Sequence, residues 1–208
     1  MAVPVTELIM LPVKAGSDIS QAIQTALSVA SKRPGFQRAF WGQHVESTDK
    51  VDLWIDWDSL EYCIAYTKSQ ECEQGRAALQ PILNGAPSVL HAQFASRADE
   101  IVATSPVMEV AYFFSAQPAI EKGFEKVSSV LAKSTGFRAS SSGLTIEDIG
   151  ENPGDEKHKA FVALIGWDSV EAHMQAIQTK EAVDSAPHLT NHFGTVQMHH
   201  TRFQPLNV

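Results

Sequence analysis

Glutamate and histidine recur at matched places in this chain. Glu7 and His91 stand in the N-terminal half, Glu109 and His200 in the C-terminal half. If the first and last strands of each half are neighbours, each carboxylate faces an imidazole. A His held this way can take a proton near neutral pH; the same pair can also serve only as a brace at a sheet edge. His44 is a second candidate base, near the end of a strand, at a position where the other half has Thr145. With Trp41, Trp54 and Asp56 it would form a polar-aromatic lining for a flat molecule, or it is simply a hairpin surface residue. Tyr112 brings a phenol from the second half; its neighbours Phe113, Phe114, Phe124 and Phe137 are expected in the core. His188 and His192 have an i, i+4 spacing that suits a metal, but no carboxylate lies between them, and Pro187 and Gly194 mark a helix end and a turn. No metal and no cofactor is therefore expected. A Gly-rich phosphate loop, a nucleophile elbow and a Cys/His dyad at a recognisable spacing are all missing from the sequence.

The elements that position these residues come in two copies. Trp57-Asp58-Ser59-Leu60-Glu61 recurs as Trp167-Asp168-Ser169-Val170-Glu171, and Pro34-Gly35-Phe36 as Thr135-Gly136-Phe137. Val5 to Leu8 matches Val107 to Val110, and His91 to Phe94 matches His200 to Phe203. Four matches in one order indicate an internal duplication. Each copy reads strand, helix, strand, strand, helix, strand. Strands run Val3 to Leu11 and Val107 to Phe114. The first helix has its apolar face at Ile19, Ala22, Ile23, Ala26, Leu27 and Ala30, with a capping box of Asp18 and Gln21. Gly35 and Gly136 end the first helix of each copy. Hairpins follow, near 37–45 with 51–57 and 138–146 with 160–167. Asp58 and Asp168 are expected as the N-caps of the next helices. Closing strands are Ser88 to Phe94 and Thr195 to Phe203. The expected domains are 1–95 and 107–208, joined by a linker at 96–106.

A four-stranded sheet with two helices covers one face only. Alternation along strand three puts Trp54, and in the second copy Val162 and Leu164, on the uncovered face. Burying one large apolar side chain stabilises by ~1.5–3 kcal/mol. The expected solution packs the two open faces together, with a cavity between the sheets.

Composition narrows the function classes. Of 208 residues, 44% are hydrophobic and 19% charged, with a formal net charge of −8. That surface repels phosphate backbones, so nucleic acid is not an expected partner. No apolar run reaches the ~18 residues of a membrane helix, and Met1 to Lys14 reads as a strand and not as a signal peptide. The two cysteines, Cys63 and Cys72, are too few for a disulfide framework. A cytoplasmic monomer is expected.

The Pro34-Gly35-Phe36 turn, the Trp57-Asp58-Ser59 strand end and the Pro81-Ile82-Leu83 segment resemble the dimeric α+β barrel superfamily, in its antibiotic-biosynthesis-monooxygenase-like branch (the ABM domain). The resemblance covers both copies. It implies an α+β fold in which tandem ferredoxin-like βαββαβ repeats form an intramolecular version of the dimeric α+β barrel. It also implies a small-molecule oxidoreductase of secondary metabolism: cofactor-independent oxygenation of an aromatic or polyketide-like substrate in the inter-sheet cavity. Alternatives are a polyketide cyclase or lyase using a His base, and a non-catalytic ligand-binding protein. The haem-degrading branch has an Asn on strand one and a His in the following helix. Here Glu7 and Glu109 occupy strand one, and Lys68 and Gln178 sit near the His position, which argues against that branch.

Overall fold

A computed structural model of the chain describes residues 3–96, 98–152 and 154–206. The chain divides into two compact units, one of Met1–Gln93 with Arg202–Val208 and one of Phe94–Thr201.

The first unit runs β1 (Val5–Pro12), α1 (Ile19–Ala30), β2 (Phe36–Gln43), β3 (Lys50–Trp57), α2 (Leu60–Thr67), α3 (Gln70–Leu79), a 3₁₀ turn (Gln80–Ile82) and β4 (Ser88–Phe94). Its antiparallel strands lie in the order β4-β1-β3-β2. α1 buries Ile23, Ala26, Leu27 and Ala30, the stripe its periodicity predicts, and Asp18 caps it by accepting from the Gln21 amide at 3.1 Å.

The second unit runs α4 (Ala98–Thr104), β5 (Val107–Phe114), α5 (Ile120–Leu131), β6 (Phe137–Ile149), β7 (His158–Trp167), α6 (Val170–Ala176), α7 (Lys180–Ser185), α8 (Pro187–Thr190) and β8 (Thr195–Thr201). Its strand order, β8-β5-β7-β6, repeats that of the first unit. The duplicated glycine turn is built alike in both. Gly35 and Gly136 have φ of +82° and +87°, a region that favours glycine. Their carbonyls accept from the Asp58 and Asp168 amides at 2.7 Å, tying the end of the first helix to the end of strand three.

Three expectations are corrected. The N-caps are Ser59 and Ser169, one residue later than read, and Ser169 accepts from the Ala172 amide at 3.2 Å. Asp58 and Asp168 instead accept from Gln37 and Arg138 at the start of β2 and β6. The segment expected as a linker contains α4. Its lead-in is anchored by the Ala95 amide on the Ser142 carbonyl (2.9 Å) and the Ser96 amide on the Ser141 hydroxyl (3.2 Å). Finally, the chain after Thr201 belongs to the first unit. There β9 (Gln204–Pro205) pairs with β2, and Phe203 packs on Trp54 with ring centroids 4.3 Å apart.

α4 lies against β6 and β7 with Ile101 and Val102 buried. Gly166 on β7 makes that approach possible, because a Cβ there would fall 1.8 Å from the Ser105 hydroxyl and 2.8 Å from its Cβ. Gly166→Ala is therefore expected to destabilise the protein by about 1–3 kcal/mol, read as a lower urea midpoint. An unchanged midpoint would contradict this seating of α4.

Candidate active site

Strand alternation sorts the polar residues of each unit onto two faces. On the helix-covered face, Glu7 of β1 lies opposite His91 of β4, and Glu109 of β5 opposite His200 of β8. Both carboxylates are buried and accept from the indole N–H of the strand-three tryptophan, Trp57 or Trp167, at 3.1 Å. The expected strand register of both Glu/His pairs is thus observed. In each, a residue of the following helix joins the pair. In the second unit it is His173, with Nε2 at 3.3 Å from Glu109 and Nδ1 at 2.8 Å from His200 Nε2, giving a buried Glu–His–His chain. In the first unit it is Cys63, whose Sγ lies 3.2 Å from His91 Nε2.

Cys63 and His91 make a Cys/His contact that the sequence did not reveal, because the two are 28 residues apart. A signal was available: position 63 in the first copy answers to 173 in the second, and both types bind protons and metals. The exchange is compensated one helical turn on. Trp167 stacks on His173 at 5.2 Å, whereas Trp57 packs on Tyr66 at 5.3 Å, and position 176, which answers to 66, is alanine. The Cys63/Tyr66 and His173/Ala176 pairs fill the same space in different ways.

Burial raises both carboxyls. It takes Glu109 to about 7, with the Trp167 N–H, which favours the ionised form, offsetting part of the effect. Glu7 moves the same way, again by burial, opposed first by the Trp57 N–H and then by the charge of His91.

The other face of the first sheet has a different chemistry. His44 Nε2 lies 3.2 Å from Asp52 Oδ1, with the two residues 6% and 1% exposed. Asp56 accepts from Thr6 Oγ1 at 2.6 Å and pairs with Arg38 Nε at 3.1 Å. Between Asp52 and Asp56 stands Trp54, 1% exposed, whose indole nitrogen has no hydrogen-bond partner among the described residues. The second copy keeps none of this. By register, His44 becomes Thr145, Asp52 becomes Val162, Trp54 becomes Leu164, Asp56 becomes Gly166, Arg38 becomes Ala139 and Thr6 becomes Met108. One polar face and one apolar face have arisen from the same duplicated strand set.

Of the expected site residues, His44, Trp54 and Asp56 share one sheet face, with Asp56 farther along β3 from the His44–Asp52 pair. Trp41 is a correction. It pairs with Leu53, so alternation turns it to the helix-covered face, away from His44. The Glu7/His91 pair also lies on that face and does not share a surface with His44. Tyr112 is half-buried in the second unit and stacks on His199 at 6.4 Å. His188 is exposed on α8. Sequence reasoning missed Arg38, Thr6 and Asp52 as partners. A groove of about 540 Å³, lined in part by Lys133, Gln175, Thr179 and Glu181, holds none of these groups.

No protein-family model matches the chain, and no curated protein matches it. Solved structures do match along its length. An anthrone oxidase-like protein superposes with a TM-score of 0.73 at 13% identity, over 99% of this chain and 94% of its own. Candidate monooxygenases from Fusobacterium nucleatum and Lactobacillus acidophilus give 0.64 and 0.63 at 12% identity, each over 99% of this chain, and 95% and 96% of their own. The chain has the tandem α+β fold of these proteins. No helix among the described residues is long and apolar enough to cross a membrane.

The Glu109 shift predicts how stability responds to pH. Its ordinary value is 4.5 and its folded value about 7. Between these values the folded protein holds a proton that the unfolded chain has released. Stability therefore falls as pH rises through that window and levels off above it, a loss of at most about 3 kcal/mol. In urea unfolding across about pH 4.5 to 8, Glu109→Gln is expected to flatten this slope. A variant curve parallel to that of the parent would contradict the assignment.

Proposed function

We propose that the chain is a small-molecule oxygenase of the monooxygenase type, acting on an electron-rich aromatic such as an anthrone at the His44 face of the first unit. The observation that carries the reading is the buried His44–Asp52 pair beside an indole N–H with no partner among the described residues, all of it replaced by apolar or neutral residues in the second copy. The full-length likeness to an anthrone oxidase-like protein and to candidate monooxygenases supports the same class.

The chemistry follows from the geometry. Asp52 Oδ1 lies 3.2 Å from His44 Nε2 and can stabilise the imidazolium that forms when His44 takes a proton. Asp52 and Trp54 are two residues apart on one face of β3, ~7 Å along the strand. An aromatic ketone or phenol of that span can set its oxygen on the Trp54 N–H while His44 takes a proton. The indole then stabilises the oxyanion as charge develops. A buried site keeps water from quenching the anion.

The anion transfers electrons to dioxygen and forms a C–O bond to give a peroxide. Loss of the second hydrogen as a proton breaks the O–O bond. One oxygen becomes the new carbonyl and the other leaves as water, so a CH₂ is oxidised by four electrons and one O₂ is reduced by four. The substrate supplies the electrons, so the step uses no added reductant. The Arg38–Asp56–Thr6 set holds the far end of the face rigid and charged, where a second phenol can be oriented.

Oxygen uptake by the purified chain with an anthrone tests the proposal. One O₂ consumed per quinone formed is expected. His44→Gln should slow the reaction by roughly 10²–10⁴-fold with the circular dichroism spectrum unchanged, while His188→Ala on exposed α8 should leave it unchanged. Substrate turnover without oxygen uptake would replace the proposal with the cyclase or lyase reading. Ligand binding without turnover would replace it with a non-catalytic carrier.

A further inference from the structure

On the helix-covered face of the first sheet, away from His44, three side chains from three elements converge: Glu7 of β1, Cys63 of α2 and His91 of β4. One donor atom from each lies within 4.8 Å of the others. We propose that Glu7, Cys63 and His91 form a binding site for a transition-metal dication of the zinc class. This departs from the sequence expectation of no metal.

The donor set fits such an ion. Thiolate, imidazole and carboxylate are the three ligand types that zinc takes in tetrahedral sites, and three protein ligands leave a fourth position for water or another small ligand. The charge also fits. A dication with one thiolate, one carboxylate and one neutral imidazole sums to zero, which is what a buried site requires. Trp57 Nε1 donates to Glu7 Oε2 at 3.1 Å and orients the carboxylate from behind, as outer-shell donors do in metal sites. Cys63 is buried and His91 half-buried, so the imidazole side offers the way in.

Cys63 also hydrogen-bonds Glu7 in the first copy; the second copy supplies the contrast in donor geometry. There, the middle residue is an imidazole whose two nitrogens point at different partners, Glu109 and His200, and the three groups form a chain. In the first copy the middle residue is a single sulfur atom, and the aromatic ring that fills the space has moved to Tyr66. The donors then surround one point. The other charged or titratable groups whose fields reach this cluster are Arg76, Tyr66 and Cys72, from α2 and α3. Cys72 is the second thiol of the chain and so the natural control.

The test uses the full chain, reduced and stripped with a chelator, then titrated with Co²⁺ as a spectroscopic probe. One Co²⁺ per chain is expected, with a thiolate-to-cobalt charge-transfer band in the near ultraviolet that equimolar Zn²⁺ abolishes. Cys63→Ser should lose the band, and His91→Gln should weaken binding by at least about tenfold, while Cys72→Ser should bind as the parent does. If Cys63→Ser fails to fold, Cys63→Ala and His91→Gln carry the same test. Equimolar Zn²⁺ should also raise the Tm of the parent and not that of the Cys63 variant. Absence of the band in the folded parent, or a band that survives without Cys63, would overturn the proposal.

Discussion

Neighbouring residues of a β-strand point to opposite faces of the sheet, and in each unit the helices that follow strands one and three cover one of those faces. This constraint sorts the polar groups of the chain into two sets that do not share a surface. Odd-numbered positions of β1 and β3 face the helices and carry the buried Glu7–Trp57 bond; even-numbered positions face away and carry Thr6, Asp52, Trp54 and Asp56. A one-residue slip in the β1–β3 pairing would exchange the two sets. The Glu–Trp bond opposes such a slip, because releasing it would leave a carboxyl and an indole N–H unsatisfied in the interior.

Duplication shows how differently the two faces have diverged. On the helix-covered face both copies keep glutamate, tryptophan and histidine at the same register, and only the fourth member changes, from Cys63 to His173, with Tyr66 and Ala176 adjusting the volume. That is how a packed interior absorbs a substitution. On the other face the change is wholesale: three charged residues and a histidine in one copy, and Ala139, Thr145, Val162 and Gly166 in the other. α4 lies on β6 and β7 of the second copy, where Gly166 leaves room for it. The second copy's face has lost a side chain to admit a helix, whereas the first copy's face keeps a buried imidazole against a carboxylate, at a desolvation cost.

Much of this was legible in the sequence. The repeated Trp-Asp-Ser and Gly-Phe motifs fixed the order of elements, and neighbouring first and last strands were enough to set Glu7 against His91 and Glu109 against His200. Misreadings have physical reasons. Trp41 and His44 are three residues apart, which brings residues together on a helix but separates them across a strand. Asp58 and Asp168 looked like helix caps by type, yet a cap is defined by backbone conformation, and the extended residue is the serine that follows. Cys63 and His173 escaped because the placement of a helix residue over a sheet depends on packing between distant segments. The tail after Thr201 has little apolar pattern of its own and is held by one aromatic contact, Phe203 on Trp54, and a short strand pair.

The central claim is that the aromatic substrate binds at the His44 face. The four tryptophans, Trp41, Trp54, Trp57 and Trp167, give four indole N–H resonances, and Trp54 alone among them lies on that face. In a two-dimensional ¹H–¹⁵N spectrum, titration with an anthrone under nitrogen is expected to move the Trp54 resonance strongly and leave those of Trp57 and Trp167 in place. A Trp54 signal that stays fixed at saturation, or shifts confined to Trp57 or Trp167, would contradict the account.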